Sequence, residues 1–182
     1  MTQPSLESEL AAMRAAAPNA EVLAAQMDQE LTAFEEVMRR AQPHWQTRMP
    51  GRDWTPAQEA DHTIRVNEGS GRLVRLLLSD KPMRPLPRQE GEVRNGRRVA
   101  PANTEPGPEQ PLDALIERHT ATRVLLTDVR AKADPERTAH HPFLGDLDAL
   151  DWLRMAAYQT RHHRQTLQAG LDRLDAGERA ED

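Results

Sequence analysis

Hydrophobic positions recur along this chain at helical spacing. Between Glu21 and Gln42, the residues Leu23, Met27, Leu31, Phe34, Met38 and Ala41 lie three or four apart and draw one apolar stripe down an amphipathic helix. Pro43 bounds it, because proline lacks the helical N–H and clashes with the preceding turn. A second helix opens at Thr55, with Pro56 in its first turn and Gln58 three residues on, the pattern of a capping box, and is expected to reach about Ser79. Ile64, Val66, Leu73, Leu76 and Leu77 mark its inner side. Gly69 and Gly71 each weaken it by about 1 kcal/mol relative to alanine, or allow a neighbouring helix to approach. Leu112, Leu115, Ile116, Leu126 and Val129 predict a third helix over 112–132, and Trp152, Ala156, Leu167, Leu171 and Leu174 a fourth over 148–174. Residues 5–17 are expected to form a short extra helix stopped by Pro18.

No segment alternates strictly as a half-buried strand would, and valine and isoleucine are scarce. Residues 81–111 hold seven of the fourteen prolines, with Gly91, Gly96 and Gly107, and read as a long, partly extended crossover. Four amphipathic helices and one long connection predict an all-α four-helix bundle. The expected organisation is a single domain over 1–182, with core helices at about 21–42, 55–79, 112–132 and 148–174.

Composition narrows the function classes. Six aromatics, Phe34, Trp45, Trp54, Phe143, Trp152 and Tyr158, leave a core of aliphatic residues and alanine. A net charge of −5 argues against general nucleic-acid binding, which needs a basic face. With no cysteine, a disulfide framework, a thiolate nucleophile and a Cys-based zinc site are excluded. The N-terminus lacks the apolar core of a signal peptide, and no apolar run approaches the ~20 residues of a membrane span, so a cytoplasmic protein is expected.

The informative residues are polar ones on apolar stripes. At about 100° per residue, His62 falls in line with Val66, Gly69 and Leu73, and His163 falls between Ala156 and Leu167 with Gln159 one turn before it. His119 lies on the apolar side of the third helix, and His162 nearer the edge of the fourth. Side chains at i and i+4 can share a metal ion that a histidine from a facing helix completes; core histidines bonded to backbone are the competing reading. Glu30 and Asp61 are candidate partners that would orient a histidine. Arg154, Arg161, Arg164 and Gln168 project away from the stripe, as a solvated face would. His140 and His141 sit in a Pro-flanked turn, and no phosphate loop or nucleophile elbow is present.

Two segments together resemble a known family. Trp54-Thr55-Pro56-Ala57-Gln58-Glu59-Ala60-Asp61-His62 is similar to the W-[ST]-P-x-[EQ]-x-x-x-H opening of the second helix in DinB/YfiT-like proteins. His141-Pro142-Phe143-Leu144-Gly145, Trp152-Leu153 and Tyr158 through Gln165 resemble their H-P-x-x-G…W…Y-H-x-x-x-H-x-x-Q stretch. The resemblance, over about 20–175, implies an up-down-down-up bundle, commonly a homodimer, and a stress-response setting. It also implies a divalent ion, nickel or zinc first, held by one histidine on the second helix and two on the fourth. Carried over, those positions are His62, Gln159 and His163. The glutamine departs from the pattern: an amide oxygen is a weak, neutral donor, so the expectation is a weakly held ion or an empty site, or a third place taken by His119 or His162. Gln165 lies two residues after His163, where the pattern has three. Relatives include thiol S-transferases and a thiol-dependent isomerase, which implies a metal-dependent transferase or hydrolase using an external thiol or water on a small-molecule substrate. The alternative is a non-catalytic bundle with a degenerate metal site that binds a small ligand or a partner protein.

Overall fold

The computed structural model describes residues 6–83, 88–94, 97–128 and 136–180. Five helices carry it: α1 (Leu6–Ala16), α2 (Ala20–Arg40), α3 (Pro56–Leu77), α4 (Leu112–Asp128) and α5 (Ala149–Asp175). Positions 129–132 of the expected third helix lie outside the described residues. Local chemistry sets the starts. Asn19 accepts from Val22 N, Asp148 accepts from Asp151 N, and Thr55 and Gln58 complete the capping box reciprocally.

Contacts along the helices give their directions. Leu31 meets His119 while Asp28 meets Arg123, so α2 and α4 are antiparallel. Glu59 meets His163 and Asn67 meets Thr160, so α3 and α5 are antiparallel. Asp61 meets Arg118 and Gly71 abuts Leu125, so α3 and α4 are parallel, and the bundle is up-down-down-up. Parallel neighbours require a long return. The 22 residues of α3 rise about 33 Å, and the chain after Leu77 must travel back that far before α4 begins. The Pro-rich crossover is that return.

The buried apolar side chains form two clusters, stacked along the bundle axis. One contains Leu23, Met27, Leu31, Val74, Leu77, Leu126 and Leu153; the other Phe34, Met38, Ile64, Leu115, Leu167 and Leu171. A buried polar layer, with Thr63, Asn67, His119 and Thr160, lies along the same axis. Two small hairpins interrupt the connections: β1 (Val93–Arg94) with β2 (Arg97–Arg98), and β3 (Ala139–His141) with β4 (Gly145–Leu147). Strands of two or three residues are too short to show the alternation by which a strand is read from sequence.

Candidate functional site

Antiparallel packing of α3 on α5 brings His62, Gln159 and His163 together. The rings of His62 and His163 stand 4.7 Å apart, centroid to centroid, nearly edge to face. Gln159 Nε2 lies 3.3 Å from His62 Nε2. The three side chains proposed from sequence therefore do converge.

Their protonation follows from their partners. His62 Nδ1 lies 2.7 Å from Thr104 O. A carbonyl only accepts, so Nδ1 carries the proton and Nε2 keeps a lone pair, to which the Gln159 amide donates. Burial, and then the charge of His163, push the His62 pKa down to about 4, which keeps the ring neutral. His163 Nδ1 lies 2.6 Å from Glu59 Oε1. Burial alone would raise the Glu59 pKa, but the His163 hydrogen bond and the nearby Arg52 outweigh it and hold the carboxyl below its usual range. Glu59 is thus a carboxylate that accepts from His163 Nδ1, and His163 Nε2 takes no part in that bond. Gln159 Oε1 is buried without a hydrogen-bond partner among the described residues.

The crossover completes the site. Residues 101–105 form a turn in which Thr104 N and Oγ1 both donate to Pro101 O, and this turn aims the Thr104 carbonyl at His62. Asp61 anchors the turn: one oxygen accepts from Gly107 N at 2.8 Å and Arg65 Nε at 2.7 Å, the other from Arg118 Nη1 at 2.6 Å. Trp54 packs on His62 with ring centroids 4.9 Å apart. Together these elements border a cleft of about 1880 Å³ that runs between α3, α5 and the crossover.

Other expectations are corrected. His119 faces the opposite seam, where Nε2 donates to Leu31 O and the ring stands edge-on to Phe34, so it does not join the cluster. His162 is exposed, its ring 5.1 Å from that of His163 and beside the cluster. Glu30 orients no histidine; it is buried between Arg161 and Arg164, which are accordingly not free solvated residues. Arg154 is buried too, donating to Ala17 O and Asp151, whereas Gln168 is exposed as expected. Asp61 holds the crossover and not an imidazole. Sequence reasoning missed Glu59, although it lies three residues before His62 and so on the same helix face. It also missed Thr104, whose contribution is a backbone carbonyl. Among the described residues no three His, Cys, Asp or Glu side chains converge as a metal-binding group.

The sequence profile of the DinB superfamily matches residues 23–167. The solved structure of TT2238, described as a four-helix bundle protein, matches 81% of this chain and 96% of its own, at 27% identity and a TM-score of 0.57. No curated protein matches. No described helix is long and apolar enough to cross a membrane.

Proposed function

The chain belongs to the DinB superfamily, and on that premise we propose that it binds a divalent ion through His62, Gln159 and His163, nickel or zinc first, and uses it in a transferase or hydrolase reaction on a small molecule. The observation that carries this reading is the common orientation of two imidazoles from facing helices. Each gives its Nδ1 proton to an outer acceptor, Thr104 O or Glu59, and keeps Nε2 for the interior. Outer acceptors of this kind fix the tautomer of metal-bound histidines and raise their basicity. The unpartnered Gln159 Oε1 is the third available donor, a weaker one than imidazole. The residues present therefore fit a divalent ion, more loosely than three histidines would.

A bound ion supplies Lewis acidity, which lowers the pKa of a thiol or water. The chain's own residues do the remaining work. Glu59 and Thr104 lock the two rings, Trp54 shields one side of His62, and the cleft admits the substrate. Any thiol comes from a cosubstrate, since the chain has no cysteine. A cytoplasmic homodimer with a role in stress response accompanies this reading.

A second reading, a non-catalytic bundle for a small ligand or a partner protein, is favoured by one contact. The Gln159 amide already occupies the His62 lone pair that an ion would use. Titration calorimetry with nickel and zinc on tag-free protein separates the two. The proposal expects measurable binding that weakens by 10- to 100-fold in Glu59→Gln, as for outer partners generally, and disappears in His163→Ala. Absence of binding by the wild type would support the second reading.

A further inference from the structure

Asp61 touches no imidazole, yet it and His62 grip the same loop. Consecutive residues of a helix point about 100° apart, and segment 104–107 of the crossover bridges that angle. His62 Nδ1 donates to Thr104 O at 2.7 Å, and Gly107 N donates to Asp61 Oδ2 at 2.8 Å. Asp61 is buried, and its remaining bonds run to Arg65 and Arg118 on the bundle helices. Glycine at 107 permits this approach, since a Cβ there would meet Arg65 Nη2 at 2.7 Å and Asp61 Oδ2 at 3.7 Å. The next ties along the crossover are at Glu109, which accepts from Thr55, and at Gln110, whose carbonyl accepts from Trp45 Nε1. Between Thr104 and those ties, Asp61 is the anchor that the described residues provide.

The Thr104 bond decides more than the position of the ring. A neutral imidazole has one proton for two nitrogens, and the hydrogen bond at one nitrogen sets the role of the other. With Nδ1–H held by the carbonyl, His62 Nε2 can only accept. Gln159 therefore turns its NH2 towards it, at 3.3 Å, and Oε1 is left buried without a partner among the described residues. A buried acceptor left unpaired costs stability. Moving the proton to Nε2 and turning the amide over would let Oε1 accept from the ring and remove that cost. The docked crossover opposes this change. We propose that Asp61 is a positioning residue for His62: by tying Gly107 it keeps the Thr104 carbonyl on Nδ1, and so holds His62 Nε2 unprotonated and Gln159 Oε1 unpaired. The consequence for a divalent ion, which would take up these two atoms, rests on the reading above; the tautomer does not.

NMR of metal-free protein with isotope-labelled histidine reads the tautomer from the imidazole nitrogen shifts. The wild type is expected to show His62 as Nδ1–H. Asp61→Ala frees Gly107 and should move the ring to a mixture dominated by Nε2–H, and weaken nickel binding by roughly 10- to 100-fold. Asp61→Asn should rescue both. Its amide oxygen still accepts from Gly107 N and Arg65 Nε, while its NH2 faces Arg118, which keeps Glu68. Arg118→Met breaks a bond of Asp61 without freeing Gly107, so it should lower the urea midpoint and leave the tautomer unchanged. If Asp61→Ala does not fold, two glycines inserted between Glu105 and Pro106 serve instead: the bonds of Asp61 remain but no longer position Thr104, and the same tautomer shift is expected. A wild-type Nε2–H ring, or Nδ1–H retained in the folded alanine variant or in the insertion, overturns the inference. So does a tautomer that shifts in step with lost stability in every variant, Arg118→Met included. A tautomer shift with no nickel binding by the wild type removes the metal reading and leaves this one; nickel binding with an unmoved tautomer does the reverse.

Discussion

His62 and His119 start from the same signal, an imidazole on the apolar stripe of a bundle helix. Both are buried, at 5% and 0% exposure, and burial lowers the pKa of both. Each gives one N–H to a backbone carbonyl, His62 to Thr104 and His119 to Leu31. They differ in where the remaining lone pair points. At the α3–α5 seam it faces Gln159 at the edge of a large cleft. At the α2–α4 seam His119 Nδ1 is buried without a partner among the described residues, beside the edge of Phe34. A histidine becomes a candidate ligand through what opposes it, and the opposing element here is the crossover, which stands off the bundle far enough to leave a cleft.

The largest effect expected is a contrast between these two rings. His62→Leu should abolish nickel and zinc binding in calorimetry. His119→Leu should leave affinity within about twofold and move urea stability by less than about 1 kcal/mol, because a half-satisfied polar ring exchanged for an apolar side chain of similar size is nearly neutral. Equal loss of metal affinity in both variants would erase the distinction between the seams.

Acid sharpens the comparison at the far end of the cleft. His141 Nδ1 accepts from Phe143 N and Leu144 N, both at 3.2 Å, so the ring must stay unprotonated to keep them. Burial, then the charges of Arg98 and His140, push its pKa to about 4. The folded value lies below the unfolded value of about 6.5, so the unfolded chain binds more protons between the two. The stabilisation is complete above pH of about 6.5 and is lost, at about 1.4 kcal/mol per pH unit, as pH falls towards about 4. His141→Asn, which keeps an acceptor and cannot titrate, should lower the slope of unfolding free energy against pH by about that amount. An unchanged slope would show that the ring is not held neutral.

The smallest effect separates two glycines two residues apart on α3. A Cβ at Gly71 would meet Leu125 Cγ at 2.7 Å, so overpacking of about 1–3 kcal/mol works against a helix gain of about 1 kcal/mol. Gly71→Ala should therefore destabilise by about 1 kcal/mol. Gly69→Ala, with open space above it, should stabilise by about 1 kcal/mol. Thermal unfolding of both variants reads the sign of each, and equal signs would mean that Gly69 does not border a cleft.

The helices were legible because their stripes are long and their starts carry capping chemistry, as at Thr55 and Gln58. Spacing put His62, Gln159 and His163 on apolar stripes along with His119, and the resemblance to DinB-like proteins picked those three out as a set. The rest depended on tertiary placement. Glu59 looks like any helical carboxylate until α5 buries it against His163. Thr104 acts through its carbonyl, which any residue would supply. Asp61 and His62 are adjacent in sequence, yet Asp61 serves the crossover. Periodicity alone placed His119 with the other rings, since a stripe marks an inner side without saying which seam that side meets.

The central claim is that position 159 is the third corner of a divalent site. Calorimetric titration of nickel and zinc into wild type and Gln159→His tests it most directly. An imidazole there restores the i, i+4 pair with His163 and replaces an amide oxygen by nitrogen. The account predicts at least tenfold tighter binding in the variant, with a rise in unfolding temperature when metal is added, because only the folded state binds the ion. No binding by either protein, or a variant that is merely destabilised with metal and without it, would contradict the account.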